Sequence, residues 1–271
     1  MASKLAIAFL VVAFLTLASS RSAPRIIGGD EAVPHEFPYQ LSLQWNYDQP
    51  DTVCMHYCGA SLLTVNFALT AGHCDVEFSV QGFPELVAAE HNVEAHEGPE
   101  QRRRVAAFVV HPGYGGGVGP NDIGVIRVEQ PFELNELVQP VQLPKQLVQF
   151  QGDVTLTGWG SMSTSLYPEF PDKLRKVVLP LVEFDACHRL WDFSAELAKS
   201  NVCAGPTDGS RSACSADSGG PLVKQLDGGA VVQVGVVSWG ALPCGQPNRP
   251  TVFAGVAHYI DWIEEQLRQD A

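Results

Sequence analysis

Short apolar or alternating segments, separated by Gly, Pro, Asn and Asp, make up most of the chain from residue 39 to residue 256. Each segment has the length of a β-strand, and the residues between segments are those that favour tight turns. Many short strands with frequent turns predict an all-β sandwich or barrel. The clearest segments are residues 60–63, 67–70, 123–128, 154–157 and 231–238.

One α-helix is predicted at the C-terminal end, over about residues 257–269. Tyr259, Ile260, Ile263 and Leu267 recur at helical spacing, and no proline interrupts them. Residues 138–144 contain two prolines with apolar flanks. We interpret this segment as a linker between two β halves.

The first 20 residues have the pattern of a secretory signal peptide. Lys4 precedes a largely apolar run over residues 5–18, and small residues follow at positions 18–20. That run is too short to span a bilayer, and no later stretch reaches the ~18 apolar residues of a membrane helix. We therefore expect a secreted, extracellular protein with no membrane partner. Most of its seven cysteines should pair, with one left over.

Composition and charge narrow the class of protein. Hydrophobic residues make up 45% of the 271 residues and charged residues 17%, which is typical of a globular chain with one large domain or two small ones. The formal net charge of −13 argues against nucleic acid as a partner. An acidic surface otherwise indicates only solubility.

Three segments carry candidate chemistry. His73 lies beside Cys74 at the end of an apolar run, Asp122 begins another run, and Ser218 lies in a Gly-rich turn. A serine hydroxyl is a poor nucleophile at neutral pH, because it needs a base to take its proton and a third group to fix the tautomer of that base. Each segment alone is commonplace. Their combination, in the order His, Asp, Ser, indicates nucleophilic catalysis.

With these flanking residues, the sequence resembles the chymotrypsin-like family of secreted serine proteases, which includes trypsins, chymotrypsins and elastases. The resemblance extends from Ile26 to about Leu267. It implies an all-β fold of two packed six-stranded antiparallel β-barrels, with a C-terminal α-helix and the active site between the barrels. It also implies a serine endopeptidase in which His73 is the general base, Asp122 orients that base and Ser218 is the nucleophile.

The same resemblance implies which groups bind the substrate. The backbone N–H groups of Ala216 and Ser218 would form the oxyanion hole, and Ser238, Trp239 and Gly240 would pair with substrate backbone as an added strand. Most relatives have Gly where this chain has Ala216, because the backbone there favours a positive φ. We expect either a strained oxyanion hole that still works or a peptide that turns away from the oxyanion. The seven other histidines receive no functional role.

Three positions of the resemblance bear on substrate preference. Ser212 would form the base of the primary specificity pocket, where trypsin-like relatives carry Asp. A basic side chain would find no carboxylate there, so cleavage after Lys or Arg is disfavoured. Gly240 leaves the mouth of the pocket open, whereas Thr251 reduces its depth. We therefore expect cleavage after apolar residues, as in chymotrypsin-like or elastase-like enzymes.

The segment that begins at Arg25 resembles the activation site of the family. Residues 21–25 would form a propeptide and residues 26–271 the protease domain, with the first barrel at about 26–138 and the second at about 139–256. Cleavage after Arg25 by a trypsin-like protease would free an ammonium group on Ile26. In this family that group inserts beside the residue that corresponds to Asp217, as a switch.

The cysteines also fit the family. The resemblance implies that Cys58 pairs with Cys74, Cys187 with Cys203, and Cys214 with Cys244. Cys54 is then left over. It could compete for Cys74, remain a free thiol, or join His56 and Cys58 as metal ligands.

An acidic segment resembles the calcium loop of many relatives. The carboxylate oxygens would come from Glu90 and Glu100, and the backbone carbonyls from Asn92 and Ala95. Glu97 would bind the ion through water. The alternative is an ordinary acidic surface loop neutralised by residues 102–104, and both interpretations stay open. The chemistry itself requires no cofactor.

Two alternative functions are a protease-like binding protein that has lost catalysis and an unrelated β-sandwich adhesion domain. The first class typically lacks a member of the triad, and none is missing here. The second leaves the activation site and all three catalytic motifs as coincidence. For the enzyme we expect protein or peptide substrates, an activating trypsin-like protease and protein inhibitors as partners, and a monomeric state.

Overall fold

The computed structural model describes residues 27–49 and 54–268. The predicted signal peptide, the propeptide and Ile26 lie outside the described residues. Within them, 13 strands and two α-helices are present. The strands before residue 130 are β1 (Asp30–Glu31), β2 (Gln40–Asn46), β3 (Met55–Leu62), β4 (Phe67–Thr70), β5 (Phe83–Ala88), β6 (Gln101–Val110) and β7 (Gly124–Val128). The later strands are β8 (Asp153–Gly158), β9 (Arg175–Val182), β10 (Asn201–Ala204), β11 (Pro221–Gln225), β12 (Val231–Trp239) and β13 (Thr251–Gly255).

The first barrel closes in the order β2, β3, β4, β7, β6, β5, with β5 pairing back to β2. Leu41 and Leu43 of β2 and Leu69 of β4 are fully buried in its core. The intervening positions Ser42 and Gln44 are also fully buried, although they are polar. Strand β2 is thus buried on both faces, and only one of those faces is apolar.

The second barrel closes in the order β8, β9, β10, β13, β12, β11, with β11 pairing back to β8. Every pairing between these strands is antiparallel, and the short strand β1 also pairs with β9. Leu156, Leu179, Leu222 and Phe253 fill the core. Two closed six-stranded antiparallel barrels confirm the predicted all-β fold. The bounds of the two domains stay a prediction.

Two helices complete the fold. Helix α2 (Ile260–Arg268) follows a single-turn 3-10 helix, and its Ile260 and Ile263 are buried in the same core cluster as the first barrel. Helix α1 (Phe184–Leu190) was not predicted, because seven residues are too few to establish a helical period. A disulfide bond from Cys187 to Cys203 attaches α1 to β10. None of the helices within the described residues is long and apolar enough to cross a membrane.

Buried hydrogen bonds between polar side chains join the two barrels. Thr157 of the second barrel donates to Gln40 of the first over 2.6 Å. Ser61 of the first barrel donates to Gln233 of the second over 2.6 Å. Buried polar groups are tolerated only when they are paired, so these contacts restrict how the barrels dock. The candidate site lies along this boundary.

Candidate active site

His73 and Asp122 form a directly hydrogen-bonded pair. His73 lies in a single-turn 3-10 helix, Gly72–Cys74, that follows β4. Its Nδ1 lies 2.7 Å from Oδ2 of Asp122, and its backbone N–H donates to Oδ1 over 2.9 Å. The hydroxyl of Ser238 also donates to Oδ2, over 2.6 Å. Asp122 is almost fully buried, so these three donors replace the water that would otherwise stabilise its charge.

This geometry fixes the protonation of the imidazole. An ionised carboxylate can only accept hydrogen bonds, so Nδ1 of His73 carries the proton. The opposite nitrogen, Nε2, is then a free acceptor. The side chain of His73 is 30% exposed, and a substrate can therefore reach it. The pair has the arrangement of a general base with an orienting carboxylate.

The turn that carries Ser218 docks against the segment that carries His73. The carbonyl of Ser218 accepts a hydrogen bond from Gly59 over 2.7 Å, and Gly59 is adjacent to Cys58. Cys58 is bonded to Cys74, the neighbour of His73. At Gly219, φ is +75°, and a Cβ there would lie 2.1 Å from the hydroxyl of Thr70. Only glycine fits at this position, which explains the Gly-rich turn.

Ala216 has φ +72°, the left-handed conformation that favours glycine. Both peptide groups around it are held. The carbonyl of Ser215 accepts from the N–H of Ser161 over 2.8 Å, and the carbonyl of Ala216 bonds to Nε2 of His56 over 3.1 Å. Within the described residues, the N–H groups of Ala216 and Ser218 have no backbone acceptor. They are therefore available to an oxyanion.

Asp217 is fully buried beside the serine turn. Its Oδ1 accepts from Gly160 over 2.8 Å and its Oδ2 from Cys214 over 2.9 Å. A Cβ at Gly160 would lie 2.1 Å from the carboxyl carbon, so glycine permits the close approach. Burial raises the pKa of Asp217 to about 7, although the two hydrogen bonds lower it. Ile27 is buried nearby, and its carbonyl accepts from Ser212 over 3.3 Å.

A cavity of about 200 Å³ opens beside Ser218, lined also by Trp239, Gly240 and Thr251. A disulfide bond between Cys214 and Cys244 braces its wall. Ser212, the expected base of the pocket, lies buried outside this lining, and its hydroxyl donates to the carbonyl of Ala213. The hydroxyl of Thr251 accepts from the N–H of Ala213 over 3.1 Å. The side chain of Thr251 is therefore fixed in the cavity wall.

The six predicted cysteine partners form three disulfide bonds, and Cys54 is a free thiol. Its sulfur lies 3.4 Å from a carboxylate oxygen of Glu85. Burial, followed by the charge of Glu85, raises the pKa of Cys54 to about 11. The alternative of a metal site with His56 and Cys58 fails, because the sulfur of Cys58 is bonded to Cys74.

The acidic loop brings carboxylate oxygens of Glu90, Glu97 and Glu100 within 4.8 Å of one another. Oε1 of Glu90 is buried and has no hydrogen-bond partner among the described residues. Arg102 lies 3.5 Å from the other oxygen of Glu90 and 2.7 Å from Glu85, so it compensates Glu90 only in part. Desolvation raises the pKa of Glu90 to about 7 despite Arg102. Three converging carboxylates with one unpaired oxygen fit a hard cation such as Ca²⁺.

Two groups of the site were missed by the sequence analysis. His56 received no role, and its contact with Ala216 was not foreseen. Ser161, which holds the peptide before Ala216, was missed as well. The only sequence signal for His56 is its position two residues before Cys58, and that spacing has no intrinsic chemical meaning.

Comparison with known proteins agrees with this geometry. The family model described as Trypsin matches residues 26–263. The chain is 37% identical over 242 residues to Trypsin-1 of Astacus astacus, which covers 88% of this chain and 98% of that protein. It is 35% identical over 256 residues to Chymotrypsin-like elastase family member 3B of Homo sapiens, covering 92% and 91% of the two chains. It is 36% identical over 264 residues to Lectizyme of Glossina austeni, covering 92% and 89%.

The chain therefore belongs to the trypsin family of serine endopeptidases. By that membership it is a peptide hydrolase.

The left-handed conformation of Ala216 leads to a prediction about Ala216→Gly. The change should raise kcat or widen the range of protein inhibitors that bind, because it removes a methyl group beside the oxyanion hole. The free energy of unfolding should rise by no more than about 1 kcal/mol. Steady-state kinetics on peptide substrates and inhibitor titrations would measure the first effect, and denaturant unfolding the second.

Ala89 supplies the matched control. It also has a positive φ, +56°, and it is buried away from Ser218. Ala89→Gly should change stability by a similar amount and leave kinetics unaltered. If both variants match the parent in rate, substrate range and inhibition, Ala216 is a neutral replacement.

Proposed function

We propose that this chain is a secreted serine endopeptidase, made as an inactive precursor and activated by cleavage after Arg25, that cuts proteins and peptides after apolar residues. The observation that carries the proposal is the buried His73–Asp122 pair, with Nδ1 and Oδ2 only 2.7 Å apart, beside the turn of Ser218. The three disulfide bonds are consistent with an extracellular location. We expect the active form to be a monomer.

In the proposed mechanism, Oγ of Ser218 attacks the carbonyl carbon of the scissile bond while Nε2 of His73 takes its proton. The N–H groups of Ala216 and Ser218 bind the oxyanion of the tetrahedral intermediate. His73 then gives the proton to the leaving amine, and an acyl-enzyme remains on Ser218. Water attacks this ester with His73 again as the base, which releases the acid and restores the serine.

A phosphonylation experiment distinguishes the enzyme from a binding protein that has lost catalysis. A binding protein without catalysis would not react with a serine-directed phosphonylating reagent, whereas the enzyme should incorporate one equivalent at Ser218. Ser218→Ala should abolish both incorporation and peptide hydrolysis. The adhesion-domain alternative has lost its basis, because the fold is two barrels and the chain belongs to the trypsin family.

The environment of Asp217 supports the proposed activation. A fully buried carboxylate with only two backbone hydrogen bonds is costly to ionise, and its raised pKa expresses that cost. An ammonium group inserted beside it would stabilise the ionised form. Ile27, two residues after Arg25 in the sequence, is buried, and its carbonyl accepts a hydrogen bond from the N–H of Ser212 over 3.3 Å.

Activation leads to a prediction for the precursor. It should incorporate little phosphonylating reagent, and trypsin treatment should raise incorporation to about one equivalent. Arg25→Gln should block the gain, because the bond is no longer a trypsin site. Asp217→Asn should leave the cleaved chain poorly active, because the ammonium loses its charged partner. Equal rates of peptide hydrolysis by the uncut and the processed protein would contradict the switch.

The cavity beside Ser218 supports a preference for apolar residues at the position before the cut. None of its lining residues is charged. A buried Lys or Arg would therefore remain unpaired, at a cost that exceeds the gain from its alkyl chain. Thr251, fixed in the wall by Ala213, limits depth. A medium-sized apolar side chain meets both conditions.

This reasoning predicts the outcome of a peptide-library profile. Leu, Met and Phe should exceed Lys and Arg at the position before the cut. Thr251→Gly should deepen the pocket and raise kcat/KM for Phe relative to Leu about 10-fold or more, because each added group in an apolar pocket is worth about that factor. A profile of the parent dominated by Arg and Lys would refute the proposed specificity.

We further propose that Glu90, Glu97 and Glu100 hold a structural Ca²⁺, with backbone carbonyls of Asn92 and Ala95. The unpaired, buried Oε1 of Glu90 supports this proposal. The ion would stabilise the loop and supply no step of the chemistry. A loop neutralised by arginines is the alternative. Among the residues that the structure describes, Arg102 is the arginine of this segment that pairs with Glu90.

Calcium binding should depend on Glu90 and on pH. Its pKa of about 7 means that a proton occupies the carboxyl group at lower pH, so Ca²⁺ affinity should fall as the pH drops through 7. Calcium at 100 times its Kd should stabilise the fold by about 2.7 kcal/mol. Glu90→Gln should remove the calcium-dependent rise in Tm, and Glu94→Gln, a change at an exposed loop acid outside the cluster, should keep it. Titration calorimetry that detects no Ca²⁺ binding above pH 7 would contradict the site.

A further inference from the structure

A continuous chain of hydrogen bonds crosses the first barrel and ends on the backbone of Ala216. Arg102 donates from Nη1 to Oε1 of Gln44 over 2.9 Å. Nε2 of Gln44 donates to Oγ of Ser42 over 2.9 Å. That hydroxyl lies 2.7 Å from Nδ1 of His56, and Nε2 of His56 lies 3.1 Å from the carbonyl oxygen of Ala216. Four contacts thus join a charged guanidinium to the peptide beside the candidate oxyanion hole.

The chemistry at the two ends fixes the direction of every bond. A guanidinium only donates hydrogen bonds and a carbonyl oxygen only accepts them. Gln44 therefore presents its oxygen to Arg102 and its NH₂ group to Ser42. Since the oxygen of Ser42 accepts from Gln44, its own proton is free for Nδ1 of His56. The other nitrogen, Nε2, must then carry the imidazole proton, and it donates that proton to Ala216.

The second proton of the Gln44 amide is also used. It is donated to Oε2 of Glu90 over 3.1 Å. Gln44 and Ser42 are fully buried, so their bond to each other and the bond from Gln44 to Glu90 are shielded from water. Within this buried network an amide at position 44 is the one group that can accept from Arg102 and donate to both Ser42 and Glu90. The direction of these hydrogen bonds thereby explains why positions 42 and 44 of β2 are polar although they are buried.

His56 is held as a neutral ring. It packs against Trp159, with ring centroids 5.1 Å apart, and the indole N–H of Trp159 donates to the carbonyl of His91 over 3.0 Å. Burial lowers the pKa of His56 to about 4, although its bond to Ala216 raises it. The ring is therefore neutral near pH 7, and its tautomer is set by the carbonyl of Ala216 at Nε2 and the hydroxyl of Ser42 at Nδ1.

We propose that Gln44 is a positioning residue of the protease: it sets the direction of a hydrogen-bond chain that begins at Arg102 and passes through Ser42 and His56, and this chain holds the carbonyl of Ala216 and with it the oxyanion-binding N–H. This inference rests on the proposed function, because it takes the N–H of Ala216 as an oxyanion donor. The chain acts through the backbone of Ala216 and touches no substrate. It complements the bond from Ser161, which holds the peptide on the other side.

The charged and titratable groups around Gln44 limit how the chain can be tested. Arg102, Glu85 and Glu90 contact it or one another, and the free thiol of Cys54 lies beside Glu85. At the far end, Asp217 follows Ala216 directly in sequence. A useful substitution must therefore change the direction of one bond and leave the shape of the network intact.

Gln44→Glu is such a substitution. An ionised glutamate only accepts, so the proton of Ser42 would turn towards it, and Nδ1 of His56 would then have to donate to Ser42. Nε2 would face the carbonyl of Ala216 without a proton. A proton added at low pH, on the introduced carboxylate or on His56, would restore a donor to Ala216. The variant should therefore show kcat that falls at least 10-fold as the pH rises, through an ionisation that the parent lacks, with KM much less affected.

Gln40→Glu is the matched control, because Gln40 is also a buried glutamine of β2 and takes no part in the hydrogen-bond chain. It should lower the free energy of unfolding without adding an ionisation to the profile of kcat against pH. Gln44→Met keeps the approximate size and removes the bonds. It should lower kcat by the same factor at every pH, because Ser42 loses the donor that fixes its direction, and no new ionisation should appear. If Gln44 had only a structural role, its substitution would change the free energy of unfolding and leave kcat unchanged.

Nitrogen-15 NMR of the histidine ring gives a readout that does not depend on activity. In the parent, His56 should carry its proton on Nε2 and should not titrate above pH 5. In Gln44→Glu the proton should move to Nδ1 or the ring should become charged. If His56 of the parent protein is protonated on Nδ1, or titrates near pH 6.5, the proposed hydrogen-bond chain is wrong. This result holds even if Gln44→Glu does not fold. An active parent with unchanged kcat–pH profiles in Gln44→Glu would overturn the positioning role, whereas an inactive processed parent would refute the proposed function instead.

Discussion

The backbone of the serine turn, residues 214–220, is held by hydrogen bonds from both barrels, and the site depends on that shared support. Gly59 of the first barrel donates to Ser218, and Ser161 of the second donates to Ser215. Gly160 donates to the side chain of Asp217. A turn with a buried carboxylate and left-handed residues would not keep this form alone, because each of those features costs free energy. The surrounding contacts offset that cost.

The same requirement explains why the boundary between the barrels is polar. An apolar boundary would bury more hydrophobic surface, but such contacts are non-directional and tolerate small shifts. Paired polar groups such as Ser61 with Gln233, at 2.6 Å, lose their bonds when the barrels slide. Ser238, at the end of the second barrel, contacts Asp122 of the first, so the orienting carboxylate is itself fixed from both sides. Directional contacts thus convert two separate cores into one defined site.

The recurrence of short strands and turn residues was sufficient to predict an all-β chain, and distinctive segments nominated His73, Asp122 and Ser218. The two six-stranded barrels were implied by the resemblance to the serine protease family and did not follow from the local pattern. That pattern was also not sufficient for contacts that depend on closure of the barrels. The alternation around Ser42 and Gln44 is typical of a strand with one face in water, yet both side chains are fully buried. The resemblance placed Ser212, Gly240 and Thr251 in the specificity pocket. Gly240 and Thr251 line the cavity, whereas Ser212 is buried behind it with its hydroxyl bonded to the carbonyl of Ala213. Helix α1 has only seven residues, too few to show a helical period, and a disulfide bond attaches it to β10.

Ala216 shows how these constraints combine at one residue. A side chain in the left-handed region is disfavoured by about 1–2 kcal/mol, and glycine would avoid that cost. Hydrogen bonds from Ser161 and His56 fix the two flanking peptides, and each such bond contributes about 1 kcal/mol net. Together the two bonds are of the same size as the strain, so the conformation of Ala216 persists because of its neighbours. The identity of the residue at this position is therefore less decisive than the direction of the two donors that hold it.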